Sequence, residues 1–195
     1  MTVIGLTGGS GTGKTTALGV LAERGAAVID CDAVYHELAA AHGPMLDEIA
    51  SRFPGVVEGG QLKRKALGQT VFHDPVALAD LNDITHKYVG QVVDERLAAF
   101  AEGGAELVAI EAIALIESGL AARCDLVFGI LAPVEERVRR ITAREGIDPA
   151  YAKARIESQK PDAFYEAHCH YILENTDETP TAFLAQCREL FGILL

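Results

Sequence analysis

Aromatic side chains make up only 6% of the 195 residues, cysteines never pair as CxxC, and Lys and Arg (17) are far outnumbered by Asp and Glu (28). Each shortage excludes something. With 49% apolar residues, rich in Ala, Leu, Val and Gly, the scarcity of aromatics disfavours an all-β domain and favours a helix-rich α/β one. No uninterrupted apolar stretch approaches the roughly 18 residues of a membrane span. The opening Met-Thr-Val-Ile-Gly-Leu-Thr carries no basic leader, so a soluble, unprocessed chain without a membrane partner is expected. The four cysteines (Cys31, Cys124, Cys169, Cys187) have no need to form disulfides in a chain this long. A cytoplasmic location follows as the expectation, as a monomer or weak homo-oligomer. A net charge of −11 excludes a general grip on nucleic acid, which draws its free energy from phosphate neutralisation.

Positive charge is also gathered in one place. Seven of the 17 basic residues fall in 137–160 (Arg137, Arg139, Arg140, Arg144, Lys153, Arg155, Lys160) against three acids (Glu145, Asp148, Glu157). A local cationic patch on an acidic chain suits a small polyanion such as a nucleotide.

Val3 to Leu6 is a short apolar run bounded by glycines and predicts a buried first strand. Ala17, Leu18 and Leu21 at helical spacing predict a helix from Lys14, stopped at Arg24-Gly25. Ala27 to Ile29 predicts the second strand, completing a βαβ unit with parallel strands. From 33 to about 102 the strand signal disappears. Val34 and Leu38, Met45 and Ile49, Leu78 and Leu81, then Val89, Val92, Val93 and Leu97 have helical spacing. Asp74-Pro75 reads as an N-cap with proline at the first helical position, and Gly103-Gly104 ends the stretch. Strands resume at 107–110 and 126–131. A charged helix follows at about 134–145, and a second runs from Asp148-Pro149 to before Pro161. Tyr171 to Leu173 predicts a last strand, and 181–192 the closing helix. The expectation is one domain of three layers, α/β/α, around a parallel sheet. Its core covers about 1–32, 103–136 and 161–195, with a helical insertion at 33–102 and a helical lid at 137–160.

Gly8 to Thr15 meets G-x-x-x-x-G-K-[ST] in full, between a predicted strand and a predicted helix. Phosphate binding by this pattern has a physical basis. Glycines let backbone N–H groups of Gly9, Ser10, Gly11, Thr12 and Gly13 approach phosphate oxygens, and the amino end of the following helix adds its dipole. Lys14 can bridge the β- and γ-phosphates of ATP, the Thr15 hydroxyl can ligate Mg²⁺, and Thr16 continues the contact surface. A dinucleotide fingerprint is excluded, because Lys14 stands where its third glycine belongs. The fold class is therefore expected to be that of the P-loop NTPases.

Asp30 and Asp32 follow the second strand, and on extended backbone residues two apart point the same way, so both carboxylates can face the phosphates. One can serve Mg²⁺ and the other can orient and deprotonate an acceptor hydroxyl; either can instead cap the next helix. Glu111 ends the third strand, where a second acid near the metal is common; Glu117 fits a solvated helix start as well as a site. Arg137, Arg140 and Arg144 at i, i+3, i+7 share one helix face, either closing over phosphates or solvated. Arg155 and Gln159, four apart, are expected on one face of the next helix. His168-Cys169-His170 lacks zinc-site spacing, and no metal cluster is expected there.

In combination, Gly5 to Thr16, Val28-Ile29-Asp30-Cys31-Asp32, Leu62-Lys63-Arg64 with Leu67 and Val71-Phe72, Leu81-Asn82 with His86, Arg140 to Gly146 and Arg155 to Gln159 resemble the dephospho-CoA kinase family over essentially the whole chain. The resemblance implies transfer of the ATP γ-phosphate to the 3′-hydroxyl of dephospho-CoA. It implies Asp32 as base beside Lys14 and Arg140, with Arg140 and Arg144 on the nucleotide and Thr15 and Asp30 on Mg²⁺. Arg64, His86 and Glu111, with Asp32, would meet the acceptor, and the helical insertion would receive it. The sequence departs from the family at Glu111-Ala112-Ile113-Ala114, where Asp closely followed by Pro is usual. It departs again at His86-Lys87 in place of His-Pro, and at Tyr165 in place of a lysine. The phosphate loop alone also fits another small-molecule or nucleotide kinase, or a binding module without turnover.

Overall fold

The computed structural model describes residues 1–71, 74–176 and 179–195, so Phe72 of the Val71-Phe72 pair lies outside the described residues. Two compact units emerge: 1–28 with 100–195, and 29–99.

A five-stranded sheet has the order β2-β5-β1-β6-β7, and all of it but the last two residues of β2 belongs to the first unit. Its strands are β1 (Thr2–Thr7), β2 (Ala27–Asp30), β5 (Leu107–Glu111), β6 (Leu126–Leu131) and β7 (Tyr171–Glu174). β1 is central, with parallel neighbours β5 and β6, and β7 runs parallel to β6. The first two strands of the predicted βαβ unit are thus not adjacent; β5 lies between them.

Buried parallel strands read as continuous apolar runs because both faces are covered, and β6 shows how. Phe128 and Ile130 point into a core with Leu18 and Leu21 of α1 (Lys14–Glu23) and Phe183, Cys187 and Phe191 of α9 (Pro180–Leu194). Gly129 faces the other way, toward Tyr165 of α8 (Asp162–His168). Helix, sheet, helix is the expected three-layer arrangement. α8 itself was not anticipated: seven residues carry too little periodicity to register, although Tyr165 is fully buried within it. The predicted lid is two helices, α6 (Val134–Glu145) and α7 (Pro149–Glu157), packed through Ile141, Ala152 and Ile156.

The second unit has its own core of Met45, Leu46, Ile49, Phe53, Leu67, Val71 and Ile84. α2 (Cys31–Ala40), α3 (Pro44–Arg52), α4 (Arg64–Val71) and most of α5 (Pro75–Glu102) build it. The sequence showed no strand here, yet β3 (Val57–Glu58) and β4 (Gln61–Leu62) form an antiparallel hairpin. Two-residue strands have no period to detect. What marks the turn is Gly59-Gly60, both at positive φ (58° and 74°), the backbone a two-residue hairpin loop requires.

α5 begins as its sequence predicts. Asp74 accepts from Val76 N–H at 2.9 Å and Ala77 N–H at 3.1 Å, satisfying two amides that the helix start leaves without partners. Replacing Asp74 by Ala should cost about 1 kcal/mol, and Asp74→Asn much less. Urea unfolding followed by far-UV circular dichroism checks this; equal losses for the two variants would refute the cap.

Candidate active site

β1 feeds the loop Gly8–Gly13 into α1, and what fixes this loop is its carbonyl groups. Gly9 O accepts from Lys14 Nζ at 3.2 Å and from Thr12 Oγ1 at 3.0 Å. Ser10 O accepts from Arg137 Nε at 2.9 Å, Gly11 O from Arg140 Nη1 at 3.3 Å, and Thr12 O from Asn175 Nδ2 at 2.7 Å. Gly13 O takes the Thr16 and Ala17 amides of α1. With every carbonyl from Gly9 to Gly13 occupied, the N–H groups of Gly11, Thr12 and Gly13 have no acceptor among the described residues. They lie at the amino end of α1, where its dipole is positive, which is an anion-binding arrangement.

Ser10 is gripped further. Its N–H donates to Gln159 Oε1 at 2.9 Å and its hydroxyl accepts from Gln159 Nε2 at 2.8 Å. Arg137 Nη2 donates to the same Oε1 at 2.7 Å. Arg137 is only 5% exposed. Burial pulls its guanidinium below the usual arginine range, the negative charge of Asp162 pushes the other way, and it stays a cation. Burial first, and then the negative charge of Glu117, pushes the neighbouring Tyr165 hydroxyl up to about 12, so this phenol is no proton acceptor near neutral pH.

Lys14 and Glu111 form an ion pair at 3.5 Å, with side chains 8% and 9% exposed. The register of β1 and β5 sets Glu111 opposite Leu6, just beneath the loop. The longer arm of glutamate therefore ends on the loop lysine.

The three arginines expected on one face of α6 part ways. Arg137 and Arg140 turn to the loop, whereas Arg144 is exposed and paired with Glu145. Arg137 had looked as consistent with a solvated face as with a site. Ile141 was the available signal: fully buried and four residues on, it marks the inward face of α6. Arg155 and Gln159 share no helix face, since α7 ends at Glu157; Arg155 reaches Glu145 at 2.8 Å and Gln159 reaches Ser10. Thr15 is exposed in the first turn of α1, and Thr16 sits beside it, half-buried. Asn175 was not anticipated. It is 5% exposed and follows β7, and its Oδ1 also accepts from Arg140 Nη2 at 3.1 Å. His170 Nδ1 accepts from Val127 N–H and His168 Nδ1 meets Phe164 O, so the His-Cys-His run serves the backbone.

In the second unit, β2 ends at Asp30 and the helix begins at Cys31. Asp30 and Asp32 are therefore not two steps apart on extended backbone, and the expectation that they point the same way fails. Asp30 caps α2, its Oδ1 accepting from Ala33 N–H at 3.0 Å. Asp32 is exposed in the first turn. His36, one turn along α2 from Asp32, contacts Arg64 through its Nδ1 at 3.2 Å. Asp32, His36 and Arg64 thus belong to one side of α2, and only the i, i+4 spacing of the first two could have shown it. His86 is half-buried on α5.

A central parallel strand, a glycine loop turning its amides to one side, and a lysine at the start of the next helix define a phosphate-binding protein of the P-loop NTPase fold. The relatives narrow the class. A model of the dephospho-CoA kinase family matches residues 2–181, and the chain belongs to that family. A dephospho-CoA kinase of Anaeromyxobacter dehalogenans is 40% identical over 196 residues, covering 100% of this chain and 92% of the relative. The crystal structure of TT1252 from Thermus thermophilus superposes with a TM-score of 0.80 at 35% identity, covering 99% of this chain and 96% of the other. Shikimate kinase from Bacteroides thetaiotaomicron (TM-score 0.59, 16% identity, 99% and 98% covered) shares the fold alone.

Gly13 has φ 111°, and a Cβ on it would lie 2.4 Å from Asn175 Nδ2 and 3.1 Å from Phe183 Cε1. Gly13→Ala should cost about 1–3 kcal/mol from the backbone alone and abolish ATP binding in titration calorimetry. Unchanged stability with unchanged binding would contradict the loop geometry.

Proposed function

We propose that this protein transfers the γ-phosphate of ATP to the 3′-hydroxyl of dephospho-CoA, giving coenzyme A and ADP. The observation that carries the reading is the loop whose five carbonyls are all engaged while the amides of Gly11, Thr12 and Gly13 are left for an anion, in a chain of the dephospho-CoA kinase family. The four cysteines are free thiols, and no helix among the described residues is long and apolar enough to cross a membrane. A cytoplasmic location is part of this proposal, since free thiols suit a reducing compartment.

Phosphoryl transfer asks a protein for positioning and for charge opposite the transferring oxygens rather than for covalent chemistry. The amides of Gly11, Thr12 and Gly13 would hold the ATP phosphates, with Lys14 and Arg140 supplying positive charge as the bond to the leaving oxygen lengthens. Arg144, exposed on α6, would reach the nucleotide from the lid. Asp32 makes no hydrogen bond among the described residues, so its carboxylate is available to orient and deprotonate the acceptor hydroxyl. Arg64, His86 and Glu111 would recognise the acceptor, and the Ile29–Ala99 unit would receive it.

The residues present fit a magnesium ion that arrives with the nucleotide. No group of three His, Cys, Asp or Glu among the described residues is placed to hold a metal by itself, and Mg²⁺ in such sites takes one or two protein oxygens beside phosphate and water. The Thr15 hydroxyl and the second oxygen of Asp30 would be the donors. An ion held by these residues would supply positive charge opposite the nucleotide phosphates.

Incubation with Mg-ATP and dephospho-CoA should yield the 3′-phosphorylated product by mass spectrometry, with nucleoside monophosphates and shikimate unreactive; product from those acceptors only would transfer the chain to another kinase class. ATP bound without any product would make it a binding module. Asp32→Asn should keep ATP affinity and lose at least about 100-fold in kcat, and a near-normal rate would remove Asp32 from the reaction.

A further inference from the structure

Asn175 stands between two groups of opposite character, the carbonyl of Thr12 and the guanidinium of Arg140. A carbonyl can only accept and a guanidinium can only donate, so the side-chain amide fits in one orientation, Nδ2 toward Thr12 and Oδ1 toward Arg140. Its position is fixed on every side. The Asn175 N–H continues the β6–β7 ladder by donating to Leu131 O at 2.8 Å. The side chain packs against the Cα of Gly13, beside the ring of Phe183.

Arg140 by contrast is a long side chain with many rotamers, about a quarter exposed. Its bond to Gly11 O is the longer of its two loop-side contacts, at 3.3 Å against 3.1 Å to Asn175. Glu136, one turn back on α6, lies 3.9 Å away and competes for the same Nη2 atom. Asn175, directly after β7, offers the guanidinium an acceptor anchored to the sheet.

We infer that Asn175 is a positioning residue for phosphoryl transfer: it fixes the Arg140 guanidinium against the phosphate loop and acts on the reaction through that arginine. This rests on the proposed role of Arg140 as the cation opposite the transferring phosphate. Among residues of its shape, only the amide offers a donor to one partner and an acceptor to the other. Alanine serves neither. Aspartate keeps an oxygen for Arg140 but sets a second one against the Thr12 carbonyl.

The test is a double-mutant cycle with steady-state kinetics in ATP and dephospho-CoA, with thermal unfolding run on each variant. Arg140→Ala should lower kcat by about 100-fold or more. Asn175→Ala should lower kcat by about 10-fold with little change in KM for dephospho-CoA. Placed in the Arg140→Ala background, the same change should cost less than about twofold, since the group it positions is gone. Asn175→Asp should recover most of the kcat lost in the alanine variant while raising KM for ATP. Full multiplicative losses in the cycle, or an aspartate variant as slow as alanine with an unchanged KM for ATP, would overturn the inference. Should Asn175→Ala not fold, the aspartate variant alone decides, in its own background and with Arg140→Ala. A near-normal Arg140→Ala would instead sink the proposed role of Arg140.

Discussion

A phosphate loop works only if its amides face one way, and a peptide unit cannot turn its N–H inward without turning its C=O elsewhere. Those carbonyls, buried or half-buried beside a sheet, must find donors, because an unpaired one costs about as much as a lost hydrogen bond. The organisation of the first unit answers that demand. Lys14 comes back from α1, Arg137 and Arg140 reach across from α6, and Asn175 arrives from the end of β7. Elements more than 120 residues away in sequence thus serve the carbonyls of Ser10, Gly11 and Thr12, while the loop and α1 serve those of Gly9 and Gly13.

Charge explains why three of these donors are cations. A neutral donor would satisfy a carbonyl equally well in geometry, but a charge-assisted bond is roughly twice as strong. The same cations raise the local potential that an incoming polyphosphate meets on a chain whose net charge is −11. Arg137 is the demanding case, since a buried cation must be well bonded to be tolerated. Its planar fork places Nε on Ser10 O and Nη2 on Gln159 Oε1 together, which an ammonium on a flexible stem does not do.

The glycine loop, the strand before it and the helix after it were legible in the sequence because their requirements are local. Gly11 and Gly13 have backbone angles that other residues resist, and Lys14 must open the helix. Asp74 and Asp148 were legible for the same reason, each capping the helix that starts beside it. What failed to show was whatever depended on a partner far along the chain. Asn175 offers no pattern until β7 brings it to Thr12. Gln159 looked like a helix-face neighbour of Arg155, but α7 stops short of it. The Asp30–Asp32 reading assumed extended backbone for two residues more than the strand lasts, because a strand ending in an N-cap and a strand ending in a ligand pair look alike as sequence.

Glu111 shows how a departure from the family pattern can be accommodated. The residue ends β5 at the level of Leu6, so a carboxylate there lies under the loop whatever its arm length. One added methylene carries the charge to Lys14, and the pair is buried on both sides. A buried pair of this kind contributes little net stability, because desolvation offsets the Coulomb attraction, whereas removing one partner leaves the other charge stranded. Its consequence is therefore conformational. Lys14 is held by Gly9 O and Glu111 along the floor of the loop, so its ammonium is already fixed before any phosphate would reach it. An ammonium already fixed loses less side-chain freedom on meeting a phosphate oxygen than one drawn from solvent, and that difference counts toward binding.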